Sequence, residues 1–426
     1  MLLQFSVENY CSIKDKCVLN VVPSAETGHE ENLLNTNGHR ALNIISIFGA
    51  NASGKSSLYR ALTNSIIIVR KSNSFQSGYS LPFIPFKLDS ESSQNPSCFE
   101  YRFIASDSKK YVYGFGFTTD RIVHEYLYCY NTVRPSMIFE REDEQYKFSR
   151  KFKRVLEAAS KMNLSNKLLL ATAAAWNVEC VAPAFEWFLN GIDTYTNDNT
   201  PLHSLSLYES DSESYLQFTK KLFEDADIGI SDINIETKLM ENNSFNMSDV
   251  LVNAGLIINN QADGNKAKLY KIITGHAITG KDNKKEIYRL DLHEESTGTQ
   301  QLFFFAPFIK KALDNGKVIV IDELDRGLHP LIVKSIVNLF RNKTINKTGA
   351  QLIFMTHETT LLSLSMFRRD QIWFTEKERA TGVTSIYSLN DMKDQKGISV
   401  RKDENIEKAY MSGKYGAIPF IQNEEL

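Results

Sequence analysis

A glycine-rich turn near the start of the chain, in which four residues separate Gly49 from Gly54, Lys55 and Ser56, has the spacing that binds phosphate. Backbone N–H groups of such a turn surround phosphate oxygens, and the N-terminus of the following helix adds positive partial charge. Lys55 is expected to reach the β- and γ-phosphates and Ser56 to bind Mg²⁺. A chance glycine- and serine-rich loop is the alternative, which the apolar run before the turn and the helical pattern after it disfavour. The predicted binding residues are Gly49, Ala50, Asn51, Ala52, Ser53, Gly54, Lys55, Ser56 and Ser57.

Two adjacent carboxylates follow a second apolar run. Residues 317–321 read Lys-Val-Ile-Val-Ile, and Asp322 and Glu323 come directly after this predicted strand. Asp322 is placed to bind Mg²⁺, either through water or alongside Ser56, and Glu323 to orient and deprotonate an attacking water molecule. A strand can also end in acidic residues for solubility alone. In a chain that already carries a phosphate-binding turn, that alternative is the weaker one.

A third stretch, of hydroxyl residues and glycine, opens a predicted helix ahead of Asp322. It would form a second anion-binding helix N-terminus, and it would serve the same triphosphate if a second copy of the chain supplied it. An ordinary helix cap at Ser296 or Thr297 is the alternative. The residues predicted to contact nucleotide in this way are Ser296, Thr297, Gly298, Thr299 and Gln300.

A histidine follows a further apolar run, residues 351–355. His357 is expected to emerge beside the other motifs, because ligands of open α/β sheets bind at the carboxyl ends of strands. It is placed to hydrogen-bond the terminal phosphate and to sense its loss, whereas His329 is expected to pack or to contact a partner subunit. Lys55, Glu323 and His357 are therefore the predicted catalytic residues.

The elements around these motifs predict an α/β fold. In the last third of the chain, apolar strands at 317–321 and 351–355 alternate with helices at 300–313 and 331–342. This alternation is typical of a parallel sheet covered on both faces. Residues 81–148 alternate aromatic and polar residues and predict an antiparallel sheet. Its aromatic side chains are expected to form core rather than a platform for stacking bases.

The middle of the chain predicts helices followed by strands. Apolar residues at three- and four-residue steps indicate helices within 150–225, apart from a polar stretch, 190–213, that is expected to be a loop, as is 23–40. Strands are predicted again from 228 to 292. A cluster of basic residues in this region predicts a solvated face or, alternatively, a nucleic-acid contact: Lys266, Lys268, Lys271, Lys281, Lys284, Lys285 and Arg289.

The composition predicts a protein of the reducing cytosol. The chain has 426 residues, 42% of them hydrophobic, and a formal charge of −2, so it can form a sizeable core and has no global basic field for nucleic acid. Its five cysteines include no Cys-x-x-Cys pair, which argues against a disulfide framework or zinc. Because the sequence shows neither a signal peptide nor an apolar run of ~18 residues, a cytoplasmic protein without membrane contact is expected.

Together these motifs resemble the ABC-type ATPases of the SMC, RecF and OLD branch. The resemblance covers roughly residues 1–140 and 285–426, and the opening FSVENYCSIKD is similar to the N-terminal strand pair of that branch. Thr299 stands where the family has a glycine, and neither Gln76 nor Gln94 fits the family's Q-loop. In the family's terms, residues 49–56 look like Walker A, 318–323 like Walker B, 296–300 like the signature, Leu324-Asp325 like the D-loop and His357 like the switch histidine.

More narrowly, the sequence is similar to the AAA-15/AAA-21 group of bacterial ATP-binding proteins and to the ATPase subunits of phage-defence systems of the RloA and AbiLi type. The resemblance implies an antiviral role and an effector protein encoded in the same operon. The segments that carry it are PFKLD (85–89), NKLLLATAAAWN (166–177), ESTGTQQL (295–302), RRDQIWF (368–374) and YMSGKYGAIPF (410–420).

The resemblance implies an ABC-type ATPase that hydrolyses ATP with Mg²⁺ as a head-to-tail homodimer or higher homo-oligomer. Its expected parts are an N-terminal lobe with an antiparallel β subdomain (1–148), a helical or mixed insertion (149–285) and a C-terminal lobe (286–426), the lobes sharing a mixed or parallel sheet core. A DNA-associated repair or SMC-like ATPase is one alternative, which strongly salt-dependent DNA affinity would favour. A scaffold that ATP locks without being hydrolysed is another.

Overall fold

A computed structural model of the 426-residue chain describes residues 1–195, 200–241, 256–259, 266–279, 285–393, 397, 400–401 and 403–419. The chain forms two compact units. The first comprises Met1–Thr194, Asn315–Asp322 and Phe340–Leu426, and the second comprises Tyr195–Asp314 and Glu323–Leu339. The three-part division with borders at 148/149 and 285/286 stays a prediction.

The described chain contains both α-helices and β-strands, with runs of consecutive strands before α1 and before α2. The α-helices are α1 (Lys55–Lys71), α2 (Lys153–Ser160), α3 (Leu169–Ala175), α4 (Ala182–Glu186), α5 (Thr200–Ser210), α6 (Ser212–Asp225), α7 (Thr297–Asn315), α8 (Pro330–Arg341) and α9 (Ile406–Met411). The strands are β1 (Leu2–Glu8), β2 (Cys17–Asn20), β3 (Leu33–Thr36), β4 (His39–Leu42), β5 (Ile44–Phe48), β6 (Ser97–Ile104), β7 (Lys110–Phe117), β8 (Ile122–Tyr130), β9 (Ser136–Glu142), β10 (Gln145–Phe148), β11 (Ile192–Tyr195), β12 (Ile230–Glu241), β13 (Leu256–Asn259), β14 (Lys266–Thr279), β15 (Lys285–Asp291), β16 (Val318–Ile321), β17 (Gln351–Met355), β18 (Ile372–Lys377) and β19 (Thr384–Ser388). Within the described ranges, no helix has both the length and the apolar character that crossing a bilayer requires.

The strand that precedes the phosphate-binding turn lies in a six-stranded mixed sheet of order β11-β16-β17-β5-β18-β19. Strands β16, β17, β5 and β18 run parallel, with Ile319 opposite Leu352 and Ile353 opposite Ile45, and β19 is antiparallel to β18. Every residue of β5, β16 and β17 is buried. Uniformly apolar strands are expected where both faces of a parallel sheet are covered, and the predicted parallel core is confirmed.

The first unit also contains a seven-stranded antiparallel sheet of order β10-β9-β8-β7-β6-β1-β2. Its side chains Phe99, Tyr101 and Phe115 are buried in the hydrophobic core. The Tyr101 hydroxyl pairs with the Ser65 hydroxyl of α1 at 2.5 Å. The aromatic residues of this sheet therefore form core, as the alternation predicts, and they position the helix that follows the phosphate-binding turn.

A buried carboxylate fixes helix α3 against the antiparallel sheet. Glu125 accepts hydrogen bonds from the backbone N–H groups of Leu169 and Leu170 at 2.6 and 2.9 Å and from the Tyr113 hydroxyl at 2.9 Å. Arg141, also fully buried, lies 3.8 Å away. Burial raises the pKa of Glu125, and the charge of Arg141 lowers it. The carboxylate thus satisfies the first free N–H groups of α3, which are costly to bury without an acceptor.

The second unit combines a four-stranded antiparallel sheet with helices. Strand β14 pairs with β12, β13 and β15, and Tyr208 of α5 stacks on Phe303 of α7 with ring centroids 4.8 Å apart. Within the predicted basic cluster, Lys271 pairs with Asp291 at 3.2 Å, and Lys268 pairs with a glutamate of α5. Lys281 and Lys284 lie outside the described residues.

Two segments that composition predicts to be loops contain regular structure. Within 23–40, β3 and β4 form a hairpin around Asn37 and Gly38, whose φ values of 49° and 82° suit the tight turn that an Asn-Gly pair favours. Within 190–213, α5 forms because Leu205 and Tyr208 lie on one helix face and are buried. Both loop predictions are wrong. The polar composition of 23–40 outweighed the turn signal of its Asn-Gly pair, and that of 190–213 outweighed two apolar residues at helical spacing.

Candidate functional site

The phosphate-binding turn is a tight loop between β5 and α1 that requires glycine at two positions. A Cβ atom at Gly49 would lie 2.5 Å from the Thr375 hydroxyl oxygen and 2.6 Å from the Thr375 carbonyl oxygen. Gly54 has a left-handed φ of 113°, and a Cβ atom there would collide with the Thr384 side chain. The absence of a side chain at both glycines therefore lets the backbone of the turn lie directly against its neighbours.

Five hydroxyl-bearing residues hold the turn in place. Ser53 Oγ pairs with Thr375 Oγ1 at 2.7 Å, and Thr384 Oγ1 donates to the Ser53 carbonyl at 3.2 Å. Ser12 Oγ lies 2.8 Å from both Ser57 Oγ and Thr384 Oγ1. Ser53, Thr375 and Thr384 are buried. Because a buried hydroxyl is costly to leave without a partner, this network fixes the loop in one conformation.

The Lys55 side chain folds back over the turn. Its ammonium group donates to the carbonyl oxygens of Gly49 and Ala50 at 2.5 and 3.0 Å, and it lies 3.4 Å from Nδ1 of His357. Lys55 is only 5% exposed. A cation held in this way by the carbonyls of the loop is preorganised to meet the anionic oxygens of a phosphate. The structure therefore brings Lys55 and His357 together, although they are 302 positions apart in the sequence.

The carboxyl ends of three neighbouring strands carry predicted site residues. Strands β16, β17 and β5 are adjacent and parallel, so Asp322, His357 and Gly49 follow them at one edge of the sheet. His357 is exposed there, and Asp322 is buried. Ligands of open α/β sheets bind at this edge. The arrangement thus assembles a phosphate-binding turn, a carboxylate and a histidine from three separate parts of the chain.

Ser56 and Asp322 are the residues predicted to bind Mg²⁺. Burial raises the pKa of Tyr59, its side-chain hydrogen bonds lower it, and the negative charge of Asp322 raises it further. Tyr59 follows Ser56 by three residues and shares its helix face. The Ser56 hydroxyl is exposed. A hydroxyl and a carboxylate are oxygen ligands of the type that Mg²⁺ takes, so both side chains fit the ion, and their joint binding of it stays a prediction.

Glu323 has an unusual backbone conformation. Its φ of 53° is left-handed, which costs a residue other than glycine roughly 1–2 kcal/mol. Outliers of this kind persist where the surrounding structure holds them, and they cluster at functional sites. The Glu323 carboxylate is 44% exposed and lies 3.5 Å from the Arg326 guanidinium. Glu323 and Asp325 belong to the second unit, and Glu323 is accessible to water, as a general base in hydrolysis must be.

The hydroxyl–glycine stretch caps α7 in the second unit. Ser296 Oγ accepts the Thr299 N–H at 3.1 Å and lies 2.9 Å from Thr299 Oγ1, so Ser296 is the N-cap of the helix. Thr299 is buried, and its hydroxyl takes part in this cap. A Cβ atom at Gly298 would collide with the Gly327 carbonyl oxygen. Because Ser296 and Thr297 are exposed, the helix cap predicted as the alternative coexists with an accessible N-terminus, and contact with nucleotide stays a prediction.

Gln300 and His329 make local hydrogen bonds in the second unit. The Gln300 amide donates to the carbonyl oxygens of Glu295 and His293 at 2.9 and 3.3 Å. Nδ1 of His329 accepts the Leu331 N–H at 3.2 Å at the start of α8. His329 is exposed, so a contact with a partner subunit stays a prediction.

The C-terminal segment supports the phosphate-binding turn, and sequence reasoning did not assign it this role. The Ala50 N–H donates to the Ala417 carbonyl at 2.9 Å, and the same oxygen accepts the Tyr410 hydroxyl at 2.9 Å. The Ala417 N–H donates to Glu376 Oε1 at 3.3 Å, beside a cavity of about 1030 Å³ that the turn also lines. The segment YMSGKYGAIPF carried the family resemblance and was the available signal. The other supporting residues that the sequence did not reveal are Ser12, Thr375 and Thr384.

A buried parallel strand, a glycine-rich turn and a helix that begins at lysine define a P-loop protein with a mixed α/β architecture. The sequence profile of one protein family, described as "AAA domain, putative AbiEii toxin, Type IV TA system", matches residues 44–363. The chain belongs to this family, AAA-21. The resemblance to that group is confirmed, whereas the resemblance to the RloA and AbiLi type stays a prediction. None of the curated proteins matches the chain.

The solved structures similar to this chain include SMC head domains and the recombination mediator RecF. The SMC head domain from Thermotoga maritima is 13% identical, covers 91% of this chain and 98% of its own, and has a TM-score of 0.38. An SMC head bound to the C-terminal winged-helix domain of ScpA is 12% identical, with coverages of 93% and 98% and a TM-score of 0.40. The recombination mediator RecF with ATP is 11% identical, with coverages of 91% and 97% and a TM-score of 0.37. These likenesses are distant.

Proposed function

We propose that this protein binds ATP and hydrolyses it in the presence of Mg²⁺. The observation that carries the proposal is the approach of Lys55 to His357, 3.4 Å apart, at the sheet edge that also holds the phosphate-binding turn and Asp322. A cation held over a glycine-rich turn and a histidine facing it are the groups that binding a terminal phosphate needs. Membership of an AAA-domain family supports the same proposal.

Each predicted residue has a distinct chemical role in this proposal. Backbone N–H groups of the turn and the Lys55 ammonium bind the β- and γ-phosphates. Glu323 orients the attacking water and accepts its proton, and His357 donates a hydrogen bond to the terminal phosphate. Ser56 and Asp322 would hold Mg²⁺, which would supply positive charge to offset the negative charge of the phosphate oxygens.

We also propose that the site is completed by a second copy of the chain in a head-to-tail dimer. The exposed N-terminus of α7, with Ser296 and Thr297 at its start, has N–H groups and partial positive charge suited to a γ-phosphate. Both the hydroxyl and the backbone N–H of Thr299 take part in the helix cap, so Thr299 would have to give up a cap hydrogen bond to contact the phosphate. The residues assigned to the partner's contribution are Ser296, Thr297, Gly298, Thr299, Gln300 and Asp325.

In the cell, we propose, the protein is the ATPase subunit of an anti-phage system that controls a separate effector protein. Support comes from the family, whose description names the AbiEii toxin and a type IV toxin–antitoxin system, and from the resemblance to phage-defence ATPases. ATP hydrolysis would open the dimer, and the change in shape would reach the effector. Expression from the native operon followed by identification of the co-purifying protein tests this role.

Phosphate release at steady state tests the enzymatic proposal. The wild-type chain should release phosphate from ATP with Mg²⁺ and not with EDTA. Glu323→Gln should keep ATP binding and lower turnover by about 10²–10⁴-fold, the usual effect of removing a general base. Hydrolysis by Glu323→Gln at the wild-type rate would show that another group is the base. Tight ATP retention without any hydrolysis by the wild-type chain would instead establish the ATP-locked scaffold.

A further inference from the structure

Helix α2 buries little of its own surface in the first unit. Two of its eight residues, Leu156 and Ala159, are buried. The exposed residues of its outer faces are Lys153, Arg154, Val155, Glu157 and Ala158. A surface helix of a globular protein usually buries a broad apolar stripe. The outer faces of α2 are therefore available for contact with another molecule.

One outer face of α2 is basic. Arg150, Lys153, Arg154 and Lys161 border a depression of about 440 Å³, in which Glu157 is the acidic residue. Among the residues that the structure describes, none of these four cations forms an ion pair with a carboxylate. Four cations and one carboxylate leave the face with three net positive charges. Charge that the protein itself does not neutralise attracts an anionic partner.

The other outer face of α2 lines an apolar groove of about 530 Å³. Its walls include Phe152, Val155, Trp176 and Val178. Trp176 is 56% exposed and Val155 is 49% exposed. Large apolar side chains grouped at an exposed groove mark interaction sites, whereas single scattered ones do not. Ala158 lines both the groove and the basic depression, so the two are contiguous.

We propose that this region, residues 150–161 and 176–180, here called the α2 surface, binds an acidic polypeptide segment of a partner protein. An apolar side chain of that segment fills the groove against Trp176 and forms the anchor of the interface. Neighbouring Asp or Glu side chains of the segment meet the cations at the border and set its orientation. The unneutralised charge selects an anionic segment, and the groove selects one with an apolar side chain.

A polypeptide suits the α2 surface better than single-stranded nucleic acid does. Glu157 lies on the basic side and Glu179 on the apolar side, so a continuous phosphate backbone would pass close to one carboxylate or the other. Proteins that bind single strands stack successive bases on several aromatic rings. In this groove Trp176 is exposed, whereas Phe152 is half-buried. Short acidic side chains can avoid Glu157 and Glu179, which a uniform polyanion cannot.

Tryptophan fluorescence measures binding at the groove selectively. The chain has three tryptophans, and Trp187 and Trp373 are each 5% exposed, so acrylamide quenching of the full chain reports on Trp176. A synthetic peptide of alternating Glu and Leu should protect Trp176 from acrylamide and shift its emission to shorter wavelength. A peptide with Lys in place of Glu, and a Glu–Gly peptide without apolar side chains, should change neither the quenching nor the emission.

Charge reversal on α2 gives the decisive comparison. Lys153→Glu combined with Arg154→Glu should weaken binding of a fluorescein-labelled Glu–Leu peptide by about tenfold or more, as read by anisotropy. Lys343→Glu combined with Lys347→Glu makes the same charge change at exposed positions elsewhere in the first unit and should leave the affinity unchanged. Thermal unfolding establishes that both double variants fold.

Two results would overturn the proposal. Equal weakening by both double variants would show that the peptide responds only to overall charge. Protection of Trp176 by a single-stranded DNA oligonucleotide, with none by the Glu–Leu peptide, would assign the surface to nucleic acid. The α2 surface does not depend on ATP hydrolysis, so Lys55→Ala should bind the peptide with wild-type affinity. A failure of the peptide-binding proposal can therefore be distinguished from a failure of the ATPase proposal.

Discussion

Nζ of Lys55 lies 3.4 Å from Nδ1 of His357, at the ends of two neighbouring parallel strands. A lysine ammonium carries only donors, so Nδ1 accepts from Lys55, and the proton of the neutral imidazole is on Nε2. That tautomer leaves an N–H that can be donated to a phosphate oxygen. In the proposed mechanism, the two residues therefore divide recognition of the terminal phosphate between a fixed cation and a directed hydrogen bond.

Lys55→Ala should weaken ATP binding by about tenfold or more, because it removes the buried cation that meets the phosphates, and each tenfold corresponds to about 1.4 kcal/mol. Isothermal titration calorimetry with ATP and Mg²⁺ measures the change. Lys71→Ala, at the exposed far end of the same helix, is the matched control and should bind as the wild type does. If the wild type and Lys55→Ala bind ATP with equal affinity, Lys55 does not contribute to the nucleotide site.

His357→Ala should lower turnover while ATP binding changes little. Its imidazole contacts the terminal phosphate in the proposal, whereas the turn and Lys55 supply most of the phosphate contacts. Phosphate release and ATP affinity are measured on the same preparation. A loss of affinity as large as that of Lys55→Ala would show that His357 holds nucleotide rather than assisting its hydrolysis.

Thr375→Val should destabilise the first unit by about 1–3 kcal/mol, since it keeps the shape of the side chain but leaves Ser53 Oγ buried without its 2.7 Å partner. The free energy of unfolding in urea measures the cost, and the ATP affinity should fall with it because the turn loses its support. Thr132→Val, at an exposed turn, is the control and should change neither quantity. An unchanged stability of Thr375→Val would show that the hydroxyl pair does not hold the turn.

The sequence predicts those parts of the site whose functional residues lie within one short motif. The turn at Gly49 and Gly54 is one example, and the carboxylates after a uniformly apolar strand are another. In both, the residues that define the site are consecutive in the sequence, so each element can be predicted from its own local pattern. Asn37 and Gly38 also carried a local hairpin signal, but the polar residues around them made the segment resemble a loop.

The supporting residues could not be predicted in this way. Thr384 donates to Ser53 across 331 positions of sequence, and Ala417 reaches the turn from the other end of the chain. Contacts of this kind arise from the order of strands in the sheet, which places β18 beside β5. The sequence does not reveal which strand β18 pairs with.

Glu125→Ala should destabilise the first unit by about 3–5 kcal/mol, because it leaves the Arg141 guanidinium buried without its carboxylate and two N–H groups of α3 without acceptors. Urea unfolding followed by circular dichroism measures the loss. Glu157→Ala, an exposed glutamate of α2, should change stability by less than about 0.5 kcal/mol. A cost for Glu125→Ala as small as that of Glu157→Ala would show that α3 does not depend on this carboxylate.

Gly298→Ala should lower ATP turnover by about 100-fold while ATP still binds at the turn. The added methyl group collides with the Gly327 carbonyl and moves the start of α7, and removing a well-placed donor typically costs this much in rate. Asp314→Ala at the other end of α7 is the control and should turn over ATP normally. Normal ATP turnover by Gly298→Ala would show that the hydroxyl–glycine stretch does not take part in catalysis.

The most direct test of the shared site is the molar mass of Glu323→Gln in solution, measured by light scattering with and without Mg²⁺ and ATP. The proposal predicts that ATP doubles the mass, because the nucleotide bridges two chains and is not hydrolysed. Adding Lys55→Ala or Gly298→Ala to the same chain should abolish the increase, since each removes one side of the bridge. A chain of 48.5 kDa that binds ATP with unchanged affinity and keeps the same mass would contradict the account.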